Sequence, residues 1–163
     1  MRVLGLDPGL TCAGFGLVER SNGSIAAIEY GAIRTPRGPV AGRLALLYER
    51  LEDLLRTHSP DAVAVERVIF DRNARTAMYV GQAAGIALLA AARNGCEVAE
   101  YTPSEVKLSV TGDGAADKSR VQLMVARLLS LSVTPKPADA ADALGLAITH
   151  LQARKLKEIQ NSA

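Results

Sequence analysis

The order of strand-like and helix-like segments constrains the fold of this chain more than any other feature of the sequence. Apolar runs of strand length occur five times, at residues 2–7, 13–19, 24–33, 62–65 and 96–101. Ser21-Asn22-Gly23 separates the second run from the third and is typical of a tight hairpin turn. Three hairpin-linked strands followed by alternating helices and strands predict an α/β fold, with a mixed five-stranded sheet and helices on both faces.

Helical periodicity accounts for most of the remaining chain. The predicted helices cover residues 41–58, 74–94, a short segment from Thr102, 115–129 and 138–157. Thr102-Pro103-Ser104-Glu105 combines a threonine cap, a proline at the first helical position and a glutamate at the third, which predicts a helix start. We expect residues 1–157 to form one domain and residues 158–163 to be a frayed tail.

The composition supports a folded domain but says little about its partner. Hydrophobic residues make up 48% of the 163 residues, and charged residues 22%, near the average for globular proteins. We see no signal-peptide pattern or membrane-length apolar segment, so we expect a cytoplasmic protein. The pI of 8.7 is below the value of about 9 that marks basic nucleic-acid-binding domains. Cys12 and Cys96 have no metal-ligand spacing, and we interpret both as buried thiols.

Four acidic residues occupy positions where catalytic groups are often found. Asp7 and Glu66 end the first and fourth predicted strands, and ligands of open α/β sheets gather at such strand ends. If these two strands are parallel neighbours, their carboxylates face one another. Asp139 and Asp142 are three residues apart at the start of the last helix, so both project from one helix face.

Four carboxylates in one site repel one another unless a cation is bound. Oxygen ligands without histidine or cysteine indicate Mg²⁺ or Mn²⁺. Two such ions activate water and stabilise the leaving oxygen of a phosphodiester. The spacing therefore fits a metal-dependent phosphodiesterase, but it equally fits structural acids. An Asp before Pro8-Gly9 is typical of a turn, and an Asp pair at a helix start is typical of a cap.

Three sequence blocks stand out, namely Leu4-Gly5-Leu6-Asp7-Pro8-Gly9, Ala64-Val65-Glu66, and the segment 138–150 with Asp139, Asp142 and His150. Together these blocks resemble the RuvC family of Holliday-junction resolvases. They occur in the order and spacing of the family, and the resemblance extends from Met1 to about Ala153. It implies an RNase H-like fold and assigns catalytic and metal-binding roles to Asp7, Glu66, Asp139 and Asp142.

The resemblance also implies a reaction and partners. The expected activity is the paired, symmetric nicking of a four-way DNA junction by a homodimer. Two metal ions, Mg²⁺ or Mn²⁺, are expected in each active site, and the products are 5′-phosphate and 3′-hydroxyl ends. Action in recombination and repair with a RuvAB branch-migration complex is a further expectation. In some relatives a histidine stands at the position of Asp139, which is acidic here.

Several other residues match positions that the family uses on DNA. Lys107 and Lys118 match DNA-binding lysines, and each would contribute mainly sequence-independent affinity. The loop after Glu66 is expected to contact junction DNA. Its candidate residues are Ile69, Phe70, Arg72 and Asn73, with Arg75 less certain. Phe70 would stack on an unpaired base, although the aromatic residue stands at position 69 in some relatives. Each of these residues also has a plain alternative, as a solvated charge or a core contact.

The long helix from Ala74 carries alanine and glycine on two sides, and in the resemblance it lies at the dimer contact. We interpret His58 and His150 as structural, and Asp71, Asp113 and Asp117 as surface or capping acids. Three other functions are considered. An ATPase of related fold would need a second domain, and a junction-binding module would lack a carboxylate. An RNase H-like nuclease acting on RNA or RNA–DNA hybrids is the main alternative.

Overall fold

The computed structural model describes residues 1–67 and 74–161. Strands and helices follow one another in the predicted order. The strands are β1 (Arg2–Asp7), β2 (Cys12–Ser21), β3 (Ser24–Arg34), β4 (Ala62–Glu66) and β5 (Glu97–Tyr101). The helices are α1 (Val40–His58), α2 (Ala74–Arg93), α3 (Pro103–Thr111), α4 (Lys118–Leu128) and α5 (Ala138–Asn161). No helix among these residues is long and apolar enough to cross a membrane.

The sheet is mixed, as the sequence predicts. Its strand order is β3-β2-β1-β4-β5. β1, β2 and β3 are antiparallel neighbours, and the β2–β3 hairpin turns through Asn22 and Gly23, both with positive φ. β4 and β5 run parallel to β1, with Leu6 opposite Val65 and Glu66 opposite Tyr101. The carboxyl ends of β1, β4 and β5 therefore meet at one edge, here called the catalytic edge.

Helices cover both faces of the sheet, which confirms the prediction. Successive β4 residues point to opposite faces, as strand geometry requires. Val63 and Val65 join the apolar cluster formed with α1 and α2, whereas Ala62 and Ala64 join the cluster formed with α3, α4 and α5. Each face of the sheet thus has its own core, and the catalytic edge lies between the two sets of helices.

Glycines in β1 and β2 let α5 lie unusually close to the sheet. A Cβ atom at Gly5 would overlap the carbonyl oxygen of Ala143, and one at Gly14 would overlap that of Asp139. At Gly16 a Cβ atom would lie 2.7 Å from Leu144 Cγ. Because any larger side chain would push the helix away, these glycines determine how closely α5 approaches β1 and β2.

Two predicted boundaries are wrong. α4 begins at Lys118 instead of Ala115, because the Asp117 side chain accepts a hydrogen bond from Arg120 N (2.8 Å) and caps the helix there. The expected frayed tail does not begin at Glu158, since α5 continues to Asn161. The Glu158 carboxylate accepts hydrogen bonds from Arg20 on β2 at 3.0 and 3.1 Å, which fastens the end of the helix to the sheet. By contrast, the Thr102 capping box forms as predicted.

Candidate active site

Asp7 and Glu66 lie side by side at the catalytic edge. β1 and β4 pair in parallel up to Leu6 and Val65, so the next residue on each strand is one of these acids. The two carboxyl groups are close enough for the charge of Glu66 to raise the pKa of Asp7. The two strands are parallel neighbours. The prediction that the two carboxylates then face one another is therefore confirmed.

Asp139 and Asp142 come to the same edge from α5. The helix begins at Ala138, with Ala140 N donating to Pro137 O at 3.0 Å in the first turn. The contact between Gly14 and the Asp139 backbone holds this turn over β2, whose Gly14 is the register partner of Asp7. A helix N-terminus also favours negative charge. The first turn of α5 thus brings both aspartates to Asp7.

The neighbouring carboxylates raise the pKa values of Asp7 and Glu66. Burial, followed by the charges of Glu66, Asp142 and Asp139, raises the pKa of Asp7 from 3.8 to about 8. Burial and the charge of Asp142 also raise the pKa of Glu66. A carboxyl group that resists ionisation among other carboxylates is a place where a bound cation would be strongly favoured.

The donor set fits a hard divalent cation, although it is not a preformed cage. Within residues 1–67 and 74–161, no three His, Cys, Asp or Glu side chains are close enough together to form a metal site as they stand. Lys118 supplies a positive charge instead, with its Nζ 2.7 Å from Asp142 Oδ2. The four acids offer only oxygen donors, the kind that Mg²⁺ and Mn²⁺ prefer.

A cleft of about 230 Å³ opens beside the carboxylates. Glu66 and Asp142 lie on one side of it, and Lys107 and Lys118 line it from α3 and α4. Val106, Val121 and Leu146 form its apolar floor. The structure therefore brings both predicted DNA-binding lysines to the acids, where they can contact an anionic backbone.

Cys12 differs from its prediction. It is half-buried, and its Sγ donates a hydrogen bond to Asp139 Oδ2 at 3.2 Å. Burial, followed by the Asp139 carboxylate, raises the pKa of the thiol, so it remains a donor. The interpretation of Cys12 as an ordinary buried thiol was wrong. Its contact with Asp139 joins residues 127 positions apart, and no local sequence pattern reveals such a contact. Cys96 is also half-buried, and its Sγ lies 3.4 Å from Pro60 O.

A second missed contact links β5 to α5 beside Glu66. The Tyr101 hydroxyl and His150 Nδ1 are 2.9 Å apart, and His150 is 2% exposed. Tyr101 is the register partner of Glu66, and its carbonyl accepts from Arg67 N at 2.8 Å. His150 therefore has a partner, which the sequence did not reveal. His58 also has one, since its Nε2 lies 2.7 Å from Glu29 Oε2.

The structure does not test the remaining predictions of DNA contacts. Ile69, Phe70, Arg72 and Asn73 lie outside the described residues, as does Asp71. Arg75 is exposed at the start of α2 and donates a hydrogen bond to Tyr79 Oη at 3.2 Å.

The fold and the site together define a class of protein. A five-stranded sheet in the order β3-β2-β1-β4-β5, with acids at the ends of β1 and β4 and on the last helix, is an RNase H-like arrangement. The chain belongs to the RuvC family, because the family model described as crossover junction endodeoxyribonuclease RuvC matches residues 3–150.

Individual relatives agree with this assignment. The RuvC of Brevibacillus brevis is 48% identical over 94% of this chain and 93% of its own length. That of Mycobacterium ulcerans is 51% identical over 92% and 83%. The structure is similar to Thermus thermophilus RuvC in complex with a Holliday junction substrate, with a TM-score of 0.91 and 36% identity over 96% of both chains. A yeast mitochondrial Holliday junction resolvase, 14% identical with a TM-score of 0.70, shares the fold.

Proposed function

We propose that this protein is a divalent-metal-dependent endonuclease that resolves four-way DNA junctions in recombination and repair. The observation that carries the proposal is that the charges of Glu66, Asp142 and Asp139 all act on Asp7 at the catalytic edge, beside a cleft lined by two lysines. Membership of the RuvC family and the likeness to the Thermus thermophilus RuvC–junction complex support the same substrate. The reaction is the hydrolysis of phosphodiesters, leaving 5′-phosphate and 3′-hydroxyl ends.

The proposed roles follow from where the side chains lie. Asp7, Glu66, Asp139 and Asp142 would hold two Mg²⁺ or Mn²⁺ ions. When bound, two such ions would supply an activated water and would stabilise the leaving oxygen. Asp7 is the acid whose ionisation the fold disfavours most, so its charge depends most on a bound cation. The two catalytic strands and the first turn of α5 hold the acids in place.

The lysines of the cleft would position the DNA. Lys118 is 59% exposed while bonded to Asp142, so it can turn from that carboxylate to a phosphate. Lys107 lines the same cleft from α3. Such contacts contribute affinity that depends on salt but not on sequence. The lysines therefore fit an enzyme that recognises the shape of its DNA substrate before it cuts.

Paired nicking requires two active sites, and we propose that the protein acts as a homodimer through α2. Met78 and Leu89 on this helix are 62% and 51% exposed, and Gly81 and Gly85 on the same face have no neighbouring atoms within 4 Å of an added Cβ. Two active sites related by a twofold axis would match the symmetry of a four-way junction. Cooperation with a RuvAB branch-migration complex and action in the cytoplasm, where the DNA is, belong to the same proposal.

The main alternative is less favoured. A nuclease for RNA or RNA–DNA hybrids would use the same four carboxylates. However, the relatives that match this chain over most of its length bear the name crossover junction endodeoxyribonuclease. No observation on the described residues favours the hybrid.

A panel of labelled substrates tests the proposal. A synthetic four-way junction, linear duplex DNA and an RNA–DNA hybrid are incubated with the protein and Mg²⁺, Mn²⁺ or EDTA. We expect paired, symmetric nicks in the junction alone, with either metal and not with EDTA. Cutting of the hybrid but not the junction would keep the carboxylate chemistry and overturn the substrate. Cutting in EDTA would overturn the metal dependence.

A further inference from the structure

The segment from Tyr30 to Tyr48 has a charge pattern that the proposed function does not explain. It contains three arginines, Arg34, Arg37 and Arg43, and no acidic residue. The chain as a whole has a net charge of only +2. A concentration of positive charge in one segment therefore indicates a local anionic partner.

Arg34 lies on the same face of the sheet as Asp139. It is the last residue of β3 and the register partner of Cys12 on β2. Directly opposed residues in an antiparallel pair project from the same face, with Cβ atoms about 4.5–5.5 Å apart. Cys12 Sγ is itself 3.2 Å from Asp139 Oδ2. The exposed Arg34 side chain thus lies beside Cys12, which contacts Asp139 at the catalytic edge.

Arg43 adds a fixed positive charge to the same region. Its guanidinium donates to Thr35 Oγ1 at 2.9 Å, to Thr11 Oγ1 at 2.7 Å and to Leu10 O at 3.2 Å. These acceptors are neutral, so they orient the guanidinium without cancelling its charge. The turn that carries Leu10 and Thr11 follows Asp7 by three residues, which places this charge near the catalytic edge.

Some arginines elsewhere on the molecule have acidic partners and others do not. Ion pairs occur at Arg2, Arg20, Arg56, Arg120 and Arg154. Arg34, Arg37 and Arg43 differ from the other arginines because they share one segment without an acidic residue, and none of them forms an ion pair with a residue that the structure describes. Arg34 does line a groove with Glu29 and Asp53, but Glu29 pairs with His58 and Asp53 pairs with Arg56. The positive charge at the end of β3 is thus not neutralised by an ion pair within the described residues.

We propose that Arg34, supported by Arg43 and Arg37, forms a second phosphate-binding surface for junction DNA. This surface, the β3 surface, lies across the carboxylates from Lys107 and Lys118. Its position follows from the strand order, because β3 is two strands from β1 on one side, and the lysine cleft borders β4 on the other. At about 4.8 Å per strand, the β3 surface is about 10 Å from Asp7. The inference rests on the proposed function.

A matched pair of variants tests the β3 surface. Arg34→Ala and Arg127→Ala each remove one positive charge, but Arg127 is exposed in the last turn of α4, away from β3. Junction binding is measured in EDTA over a range of salt concentrations. We expect Arg34→Ala to raise the Kd about tenfold near 0.1 M salt and to reduce the slope of log Kd against log salt by about 0.9. Arg127→Ala should change the Kd less than twofold.

Replacing single junction phosphates with uncharged methylphosphonates sharpens the test. One phosphate at a time is neutralised on both sides of the scissile bond. We expect one position at which neutralising the phosphate weakens junction binding by the unaltered protein but not by Arg34→Ala. The variant has already lost the contact with that phosphate. Arg34→Lys, which keeps the charge, should retain most of the affinity and control for folding.

Failure of the β3 surface and failure of the proposed function give different results. Equal salt slopes for Arg34→Ala and Arg127→Ala, or equal responses of Arg34→Ala and the unaltered protein to every methylphosphonate, overturn the β3 surface while leaving the nuclease intact. If the unaltered protein neither binds nor cuts the junction, the proposed function fails and the inference fails with it.

Discussion

α2 and α5 are both long helices rich in alanine, yet they relate to the sheet in opposite ways. In α5 every residue from 140 to 151 except Asp142 is buried, and the glycines that permit this lie in the strands beneath it. In α2 buried residues are confined to Ala83, Ala84, Ala87, Ala90 and Ala91. Its own Gly81 and Gly85 have open space around them.

The position of the glycines explains the difference. Glycine in the strands lets a helix pack close to the sheet, which brings the first turn of α5 next to Asp7. Glycine in a helix without a neighbour leaves a smooth surface that another chain can approach. We therefore expect changes at the α5 contact to affect chemistry and stability, and changes on the open face of α2 to affect assembly.

Among changes that test the contrast between the two helices, the largest expected effect comes from Gly14→Ala. The added methyl group would overlap the Asp139 carbonyl, so the first turn of α5 must shift. We expect a loss of about 1–3 kcal/mol in the free energy of unfolding, measured by urea denaturation. Junction cleavage should fall about 100-fold, since a displacement of about 1 Å in an active site has effects of that size.

The matched control for this prediction is Gly42→Ala. Gly42 lies in α1, and an added Cβ atom would have no neighbours within 4 Å. We expect equal or slightly higher stability, by up to about 1 kcal/mol, because alanine favours the helix. Full cleavage by Gly14→Ala would show that the close packing of α5 does not position the acids.

The next effect concerns assembly. Gly85→Glu places a charge on the open face of α2, between Met78 and Leu89. We expect the dimer dissociation constant, from analytical ultracentrifugation, to rise at least about tenfold, while the helical content stays the same because glutamate favours a helix over glycine. Gly42→Glu is the control for the added charge. An unchanged dimer in Gly85→Glu would place the interface elsewhere.

The pH dependence of stability distinguishes the catalytic edge from the rest of the molecule. The folded pKa of Asp7, about 8, is above its ordinary value of 3.8. Between these values the folded state binds more protons than the unfolded state, so this group lowers stability as pH rises. In EDTA at pH 8 we expect Asp7→Asn to have a Tm at least about 2 °C above that of the unaltered protein. The difference should shrink towards pH 4, and a constant difference would contradict the assigned cause.

The smallest effect is expected at Cys12. Cys12→Val removes the donor to Asp139 Oδ2, whereas Cys12→Ser retains one. A neutral donor to a carboxylate contributes about 1 kcal/mol, so cleavage by the valine variant should fall about fivefold. The serine variant should keep most of the activity in the same Mg²⁺-dependent assay. Equal activity in both variants would show that Asp139 needs no help from the thiol.

The sequence predicts those parts of the site that depend on strand ends and helix starts. Asp7 and Glu66 follow apolar strands, and the spacing of Asp139 and Asp142 places both on one helical turn. Contacts between distant segments leave no such pattern. The Cys12–Asp139 and Tyr101–His150 hydrogen bonds join residues 127 and 49 positions apart.

The helix ends show the same limit. Asp117 begins α4 because its side chain caps the backbone, which agrees with its interpretation as a surface or capping acid, although the helix was predicted to begin at Ala115. Arg20 extends α5 beyond Lys157 by pairing with Glu158, which is a tertiary contact. The three arginines of the β3 surface were visible as an acid-free segment, but their relation to Asp139 required the register of β2 and β3.

The central claim is that the four carboxylates serve chemistry while separate cations hold the DNA. Asp7→Asn tests this most directly when junction binding and cleavage are measured on the same sample with Mn²⁺. We expect cleavage to fall by at least about 1,000-fold and the Kd for the junction to stay within about threefold, because the substitution removes a metal ligand and no phosphate contact. Retained cleavage, or loss of binding together with cleavage, would contradict the claim.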